Sequence, residues 1–411
     1  MLSCDARFSL PKSILPSGFR NTNPHLTAVL GVLLGVSASS AMADGFERTG
    51  DMVVPRSAHV ATLMADGRVL IAGGNKPSVK RNDGPVVDAF TADAEVYDPA
   101  TGEFTATGSM TVPRVDHAAA ALADGRVLVV GGFGDGETQS NGELYDPASG
   151  TFARVESDVA VGGERTTATV LEDGRVLIVG GFNQGPRDAA QLFDPATDTF
   201  TSTGTLNIGR YVHTATRLLD GRVLVVGGLG GDAVRNDAEI YDPATGNFTL
   251  VPATMSDRRE RHAAALLPDG RVLIAGGYTV GSQLTTAEVF DPATETFSDI
   301  ASTLAIPRVD YRMRTLRNGN VLVIGSQRYD LTQSTAELFS PATNAFSSIE
   351  PGPATERGSL DATVLQDGRV LLSGGTDLLD PDVGPVVFGE LYLPDAADLV
   401  FASGFENAPA P

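Results

Sequence analysis

Short apolar runs separated by glycine- and aspartate-bearing turns recur along most of the chain. Ala118 to Leu122 is one such run, Arg126 to Val130 a second, Glu143 to Tyr145 a third, and Phe152 opens a fourth. Runs this short, bounded by turn residues, predict strands rather than helices. An Asp-Gly pair between the first two runs, as at Asp124-Gly125, predicts a tight hairpin because both turn positions must tolerate positive φ. Asp98-Pro99-Ala100-Thr101-Gly102 shows the second kind of turn, with proline presetting φ at its start and glycine relieving strain at its end. Each unit therefore reads as a four-stranded antiparallel meander.

The unit repeats. Asp66-Gly67-Arg68-Val69-Leu70 returns at Asp124, Asp173, Asp220, Asp269 and Asp367, with Asn318-Gly319-Asn320-Val321-Leu322 as a variant. The intervals are 58, 49, 47, 49, 49 and 49 residues, a period that predicts a propeller or solenoid with one unit per blade. Paired glycines close the second strand of each unit, except for Gly325-Ser326 in unit six, and are expected where backbone approaches a neighbouring side chain.

These repeats resemble the kelch repeat of galactose-oxidase-like propellers, over about Phe46 to Tyr392. The resemblance implies an all-β fold: a seven-bladed β-propeller of four-stranded antiparallel blades. The family often places tryptophan at the start of the fourth strand, whereas this chain has no tryptophan and places Phe104, Phe152, Phe200, Phe248, Phe297 and Phe346 there. Phe46 to Met52 matches Phe104 to Met110 in spacing, so an orphan N-terminal strand is expected to complete the seventh blade and close the ring. Leu399-Val400-Phe401 is the competing strand for that place.

Composition narrows the partners and the address. A net charge of −21 argues against nucleic acid or an anionic membrane. Cations at Arg7, Lys12 and Arg20, the apolar run Ala28 to Val36 and the small-residue site Ala41-Met42-Ala43 have the order of a secretory signal, and the run is too short to span a bilayer. The expected organisation is thus a signal peptide at 1–43, a propeller at 44–395 and a tail at 396–411, with the processed protein periplasmic or extracellular and a monomer. Cleavage would remove Cys4, the only cysteine, so no disulfide is expected despite an oxidising compartment.

Candidate chemistry lies on the face carrying the 2–3 loops and the 4–1 connections. Arg56, Arg114, Arg210, Arg259, Arg308 and Arg357 all stand ten residues before the turn Asp or Asn, while unit three is out of phase with Arg165. Such a ring at the channel mouth suits a carboxylate, sulfate or acidic peptide. Alternatively, each arginine pairs with a neighbouring blade's acid and holds the ring together. His59, His117, His213 and His262 follow the arginines at fixed spacing. Metal coordination requires nitrogens to converge to about 2.1 Å from the ion, so neither a metal nor another cofactor is expected from one histidine per blade. Asp377, Asp380 and Asp382 have oxygen-ligand character without calcium-loop spacing. The 2–3 loops of units one and seven carry insertions with similar text, Gly84-Pro85-Val86-Val87 and Gly384-Pro385-Val386-Val387, suited to packing on each other at the seam or to recognition.

Three functional classes follow. The first is a non-catalytic binding module for a protein or glycan ligand, acidic in character. The second is an enzyme. The resemblance implies copper-radical oxidation through a tyrosine cross-linked to a cysteine, which the processed chain lacks, and a sugar isomerase or epimerase working through Glu95 or Glu164 stays open. The third is a structural envelope component.

Overall fold

Strand formation follows the period-two rule. In Val127–Val130 every side chain is fully buried, yet alternate residues serve different sides: Val127 and Val129 join one apolar cluster, Leu128 and Val130 the next. A strand buried on both faces must lie inside a stack of sheets, which is how these strands sit.

The computed structural model describes residues 45–76, 89–156, 162–326, 335–379 and 384–395. They form seven four-stranded antiparallel sheets. Blade two shows the pattern, with strands Ala118–Ala121, Val127–Val130, Gly142–Asp146 and Thr151–Arg154 paired in that order. The first strands of successive blades lie side by side in a closed ring, from Val60–Leu63 of blade one to Asp361–Val364 of blade seven and back. Seven buried apolar clusters fill the seven gaps between blades, so the core is a set of wedges rather than one centre.

The N-terminal strand closes the ring as expected. Gly45–Asp51 pairs antiparallel with Phe388–Leu393 as the outer strand of blade seven. Phe46 meets Tyr392 with ring centroids 5.4 Å apart, the counterpart of Tyr97 and Phe104 at 4.8 Å in blade one. The six outer-strand phenylalanines therefore have a seventh member from the other end of the chain. The competing strand at 399–401, the leader at 1–43, the tail from 396, the loop text at 84–87, and Asp380 and Asp382 lie outside the described residues.

Glycine pairs allow the blades to meet. A Cβ on Gly73 would come within 2.7 Å of the His117 ring, and one on Gly180 within 2.7 Å of His213. Both glycines also hold positive φ, so no other residue fits without displacing the neighbouring blade.

Candidate functional site

The arginines placed at the channel mouth by the repeat spacing are interior groups. Arg56, Arg114, Arg210, Arg259 and Arg308 are fully buried and Arg357 is 1% exposed. Each is paired with a glutamate on the third strand of its own blade, and Arg308 also comes within 3.9 Å of an acid from the neighbouring blade, Glu356. Arg114 meets Glu143 at 2.9 Å, Arg210 meets Glu239 at 2.9 Å, and Arg56, Arg259, Arg308 and Arg357 meet Glu95, Glu288, Glu337 and Glu390 in the same way. The opposite edge of the guanidinium donates to a glycine carbonyl of the same blade, as from Arg114 to Gly131 at 2.8 Å. Each glutamate in turn accepts a backbone N–H from the 4–1 connection, as from Thr111 to Glu143 at 2.6 Å. The neighbouring blade is held by backbone instead: the N–H of Gly74 donates to the carbonyl of Arg114 at 2.7 Å, and that of Gly228 to Arg259 at 2.9 Å.

Blade three explains its break in phase. Gly163 occupies the arginine position, its carbonyl accepting from Gly132 at 2.8 Å, and Gln191 stands in the glutamate register. Both charges are gone together. Arg165 instead takes the place two residues further on.

That place is a second ring. Ala58, Asp116, Arg165, Val212, Arg261, Asp310 and Ser359 occupy it, and every one holds positive φ, between 49 and 60°. Non-glycine residues adopt this backbone at a cost, and here all seven blades do so. Backbone hydrogen bonds link the ring from blade to blade, as from Ala58 to Ser359 at 2.8 Å and from Arg165 to Asp116 at 2.9 Å. The first six of these residues border a cavity of about 320 Å³ in the central channel.

Charge in the cavity falls into two groups. Near the ring, Arg165 reaches Asp116 at 2.9 Å and Asp310, three blades away, at 2.7 Å, while Arg261 takes the other oxygen of Asp310 at 2.7 Å. Burial works to raise the Asp310 carboxyl, but Arg165 and Arg261 outweigh it and hold it below the usual carboxylate range. On the wall of blades six and seven, Arg312 and Arg314 share one oxygen of Asp361, at 2.9 and 3.1 Å.

The four histidines border the same cavity but are 2–6% exposed. His59, His213 and His262 bond through Nε2 to hydroxyls of the preceding blade, Ser373, Thr167 and Thr214. At the corresponding place His117 has Val60, and among the described residues neither of its ring nitrogens has a partner. Burial drives the pKa of His59, His117 and His213 down to about 3, and that of His262 well below 6.5. They are neutral packing groups.

Glu95 is engaged by Arg56 and the Val53 N–H, and burial raises its pKa against the pull of Arg56. Glu164 stands at the rim beside the second ring, its pKa raised by burial and then by Asp116. Spacing of the repeated arginines could not find Arg261, Arg312 and Arg314. The available signal was difference between units at aligned positions.

Comparison with known proteins agrees with this architecture. The Kelch motif matches residues 114–157, 210–254 and 261–303, which are blades two, four and five. The chain is a Kelch-repeat propeller. Curated relatives include an F-box/kelch-repeat protein of Arabidopsis thaliana, 33% identical over 104 residues, and the spermatocyte protein spe-26 of Caenorhabditis elegans, 31% identical over 111 residues. These alignments cover 25% and 26% of this Kelch propeller, and only 26% and 18% of the respective relatives. Among solved structures, a fungal alcohol oxidase of the AA5 family in complex with copper shares the fold, with a TM-score of 0.65 and 18% identity over 88% of this chain and 79% of that one. The donor set here does not fit a copper centre. The histidines stand one per blade, three of them occupied by hydroxyls, and among the described residues no three His, Cys, Asp or Glu side chains gather to hold a metal ion.

Proposed function

We propose that this Kelch propeller is an exported, non-catalytic binding module that receives an acidic segment of a partner protein at the mouth of its central channel. The carrying observation is the contrast between two rings two residues apart. The arginine of the first ring recurs in six blades and is consumed by buried pairs. The second ring has the same strained backbone in every blade, yet its side chains run Ala, Asp, Arg, Val, Arg, Asp and Ser. A repeated backbone carrying unrepeated side chains at a cavity separates scaffold from recognition. Kelch propellers commonly serve as protein-interaction modules, which supports the class of partner. The exposed edge of Arg261, 36% accessible, supports acidic character. Export rests on the residues 1–43.

Fluorescence titration of the protein lacking residues 1–43 with a short oligoglutamate peptide tests this. Saturable binding is expected, weakened at high salt, absent for the neutral oligoglutamine peptide and reduced about tenfold by Arg261→Ala. Equal binding of both peptides, or of wild type and variant, overturns the reading.

A further inference from the structure

Blade six departs from the other blades on its first strand, Arg312–Thr315. At the position of Arg312 the other blades carry Val60, Ala118, Thr167, Thr214, Ala263 and Asp361. At that of Arg314 they carry Thr62, Ala120, Thr169, Thr216, Ala265 and Thr363. Two long cations thus stand on one channel wall where the repeat otherwise places small or short residues. The scaffold does not demand them, since six blades form without them.

We propose that Arg312 and Arg314 form an oxyanion subsite inside the channel, taking a carboxylate or sulfate group carried by the ligand. This rests on the reading of the cavity as the recognition site and locates where its anion is bound. Charge decides between the two groups in the cavity. Arg165 and Arg261 face Asp116 and Asp310, with the carboxyls of Glu164 and Glu260 close by, so the group near the ring carries no positive excess. Arg312 and Arg314 share only Asp361, which leaves one positive charge in excess.

Asp361 is also saturated. Its Oδ1 accepts from both arginines and from the Ala362 N–H at 2.9 Å, and its Oδ2 from the Ala61 N–H at 2.8 Å. Donors remain on the arginine side. A guanidinium carries five N–H groups. Among the described residues Arg312 commits Nε to Asp361 and one Nη1 hydrogen to the Tyr311 carbonyl at 3.3 Å, so Nη2 is uncommitted. Arg314 commits one hydrogen on each nitrogen, to the Ala362 and Met313 carbonyls and to Asp361, and keeps the second hydrogen of each Nη. Both side chains border the cavity and are 30% and 23% exposed. Two forked donors with excess charge match an oxyanion better than any neutral group.

The test is the melting temperature of the protein lacking residues 1–43, titrated with sodium sulfate against sodium chloride at equal ionic strength, and in parallel with glutarate. Wild type should show a saturable rise with sulfate or glutarate. Arg312→Ala should shift the saturation midpoint at least tenfold, and so should Arg312→Gln, which keeps a donor for Asp361 if the alanine variant does not fold. Arg258→Ala, at an exposed arginine off the cavity, should leave the midpoint unchanged. A saturable rise with the same midpoint in Arg312→Gln, or a rise that never saturates in wild type, overturns the subsite. The two readings fail separately. Oligoglutamate binding that Arg312→Gln does not weaken keeps the module and removes the subsite, whereas sulfate saturation through Arg312 without oligoglutamate binding keeps the subsite and removes the acidic protein segment.

Discussion

Val60 and His117 show how a single side chain leaves a mark in a repeated structure. Three histidines of the ring find a hydroxyl on the preceding blade, whereas His117 has Val60 at that position and, among the described residues, no partner. A buried polar group without a partner costs roughly 1–3 kcal/mol, and a hydrogen bond regained returns about 1 kcal/mol. Val60→Thr is nearly isosteric and puts a hydroxyl where Thr167 and Thr214 carry theirs. It should raise the urea midpoint by an amount equivalent to about 1 kcal/mol, and an unchanged or lower midpoint would show that His117 is satisfied in some other way. The positions of these four histidines were legible in the sequence because spacing fixes blade and height. Their partners were not, since the hydroxyl belongs to a strand about 46 to 48 residues earlier, or 314 residues later for His59.

At the scale of elements, the meander, its two turn types and the terminal strand that closes blade seven could all be read from the chain, because hairpin turns and period-two burial are local rules. The repeated arginine was legible as a position, with a ligand contact and an ion pair both open, but its partner was not. Its glutamate lies 29 residues on in blades two, four, five and six, across two strands, and only the folded blade brings Arg114 Nη2 to Glu143 at 2.9 Å. Blade three held the clue in one place. Gly163 replaces the arginine and Gln191 replaces the glutamate, which is what a buried pair requires when one charge is lost, since a lone buried carboxylate is far more costly than none. The two-residue offset of Arg165 then reads as a different function at a different ring, and Asp116, Asp310 and Arg261 fall into place beside it.

For the molecule as a whole, the blades are held by apolar wedges and by polar groups whose charge state depends on pH. His59, His117 and His213 have folded pKa values of about 3 and His262 is held well below 6.5, in each case because burial disfavours the cation. Below pH 6.5 the unfolded chain takes up protons that the folded chain refuses, so stability is complete above that pH and declines as pH falls toward 3. Each histidine contributes a slope of up to about 1.4 kcal/mol per pH unit over that window. Asp310 and Asp361 have lowered folded values, so their contribution is present above the ordinary carboxylate range and is lost only at lower pH. Urea midpoints should therefore fall between pH 6.5 and 4.5, above the range of Asp310 and Asp361, with the raised carboxyls of Glu95, Glu164, Glu260 and Glu356 opposing part of the fall, and a flat profile there would contradict the neutral, buried assignment of the histidines. The ligand was the least legible feature of the sequence. A repeat advertises what its copies share, and the proposed recognition surface consists of what they do not.

The most direct test sets Arg259 against Arg261, two residues apart on the same connection. Both become alanine, and thermal stability and oligoglutamate affinity are measured on each. Arg259→Ala strands Glu288 in the interior and should cost about 3–5 kcal/mol, with affinity preserved in the protein that remains folded. Arg261→Ala should melt near wild type and bind about tenfold more weakly. The reverse pattern, with binding lost at Arg259 and stability lost at Arg261, would contradict the division between scaffold ring and recognition ring.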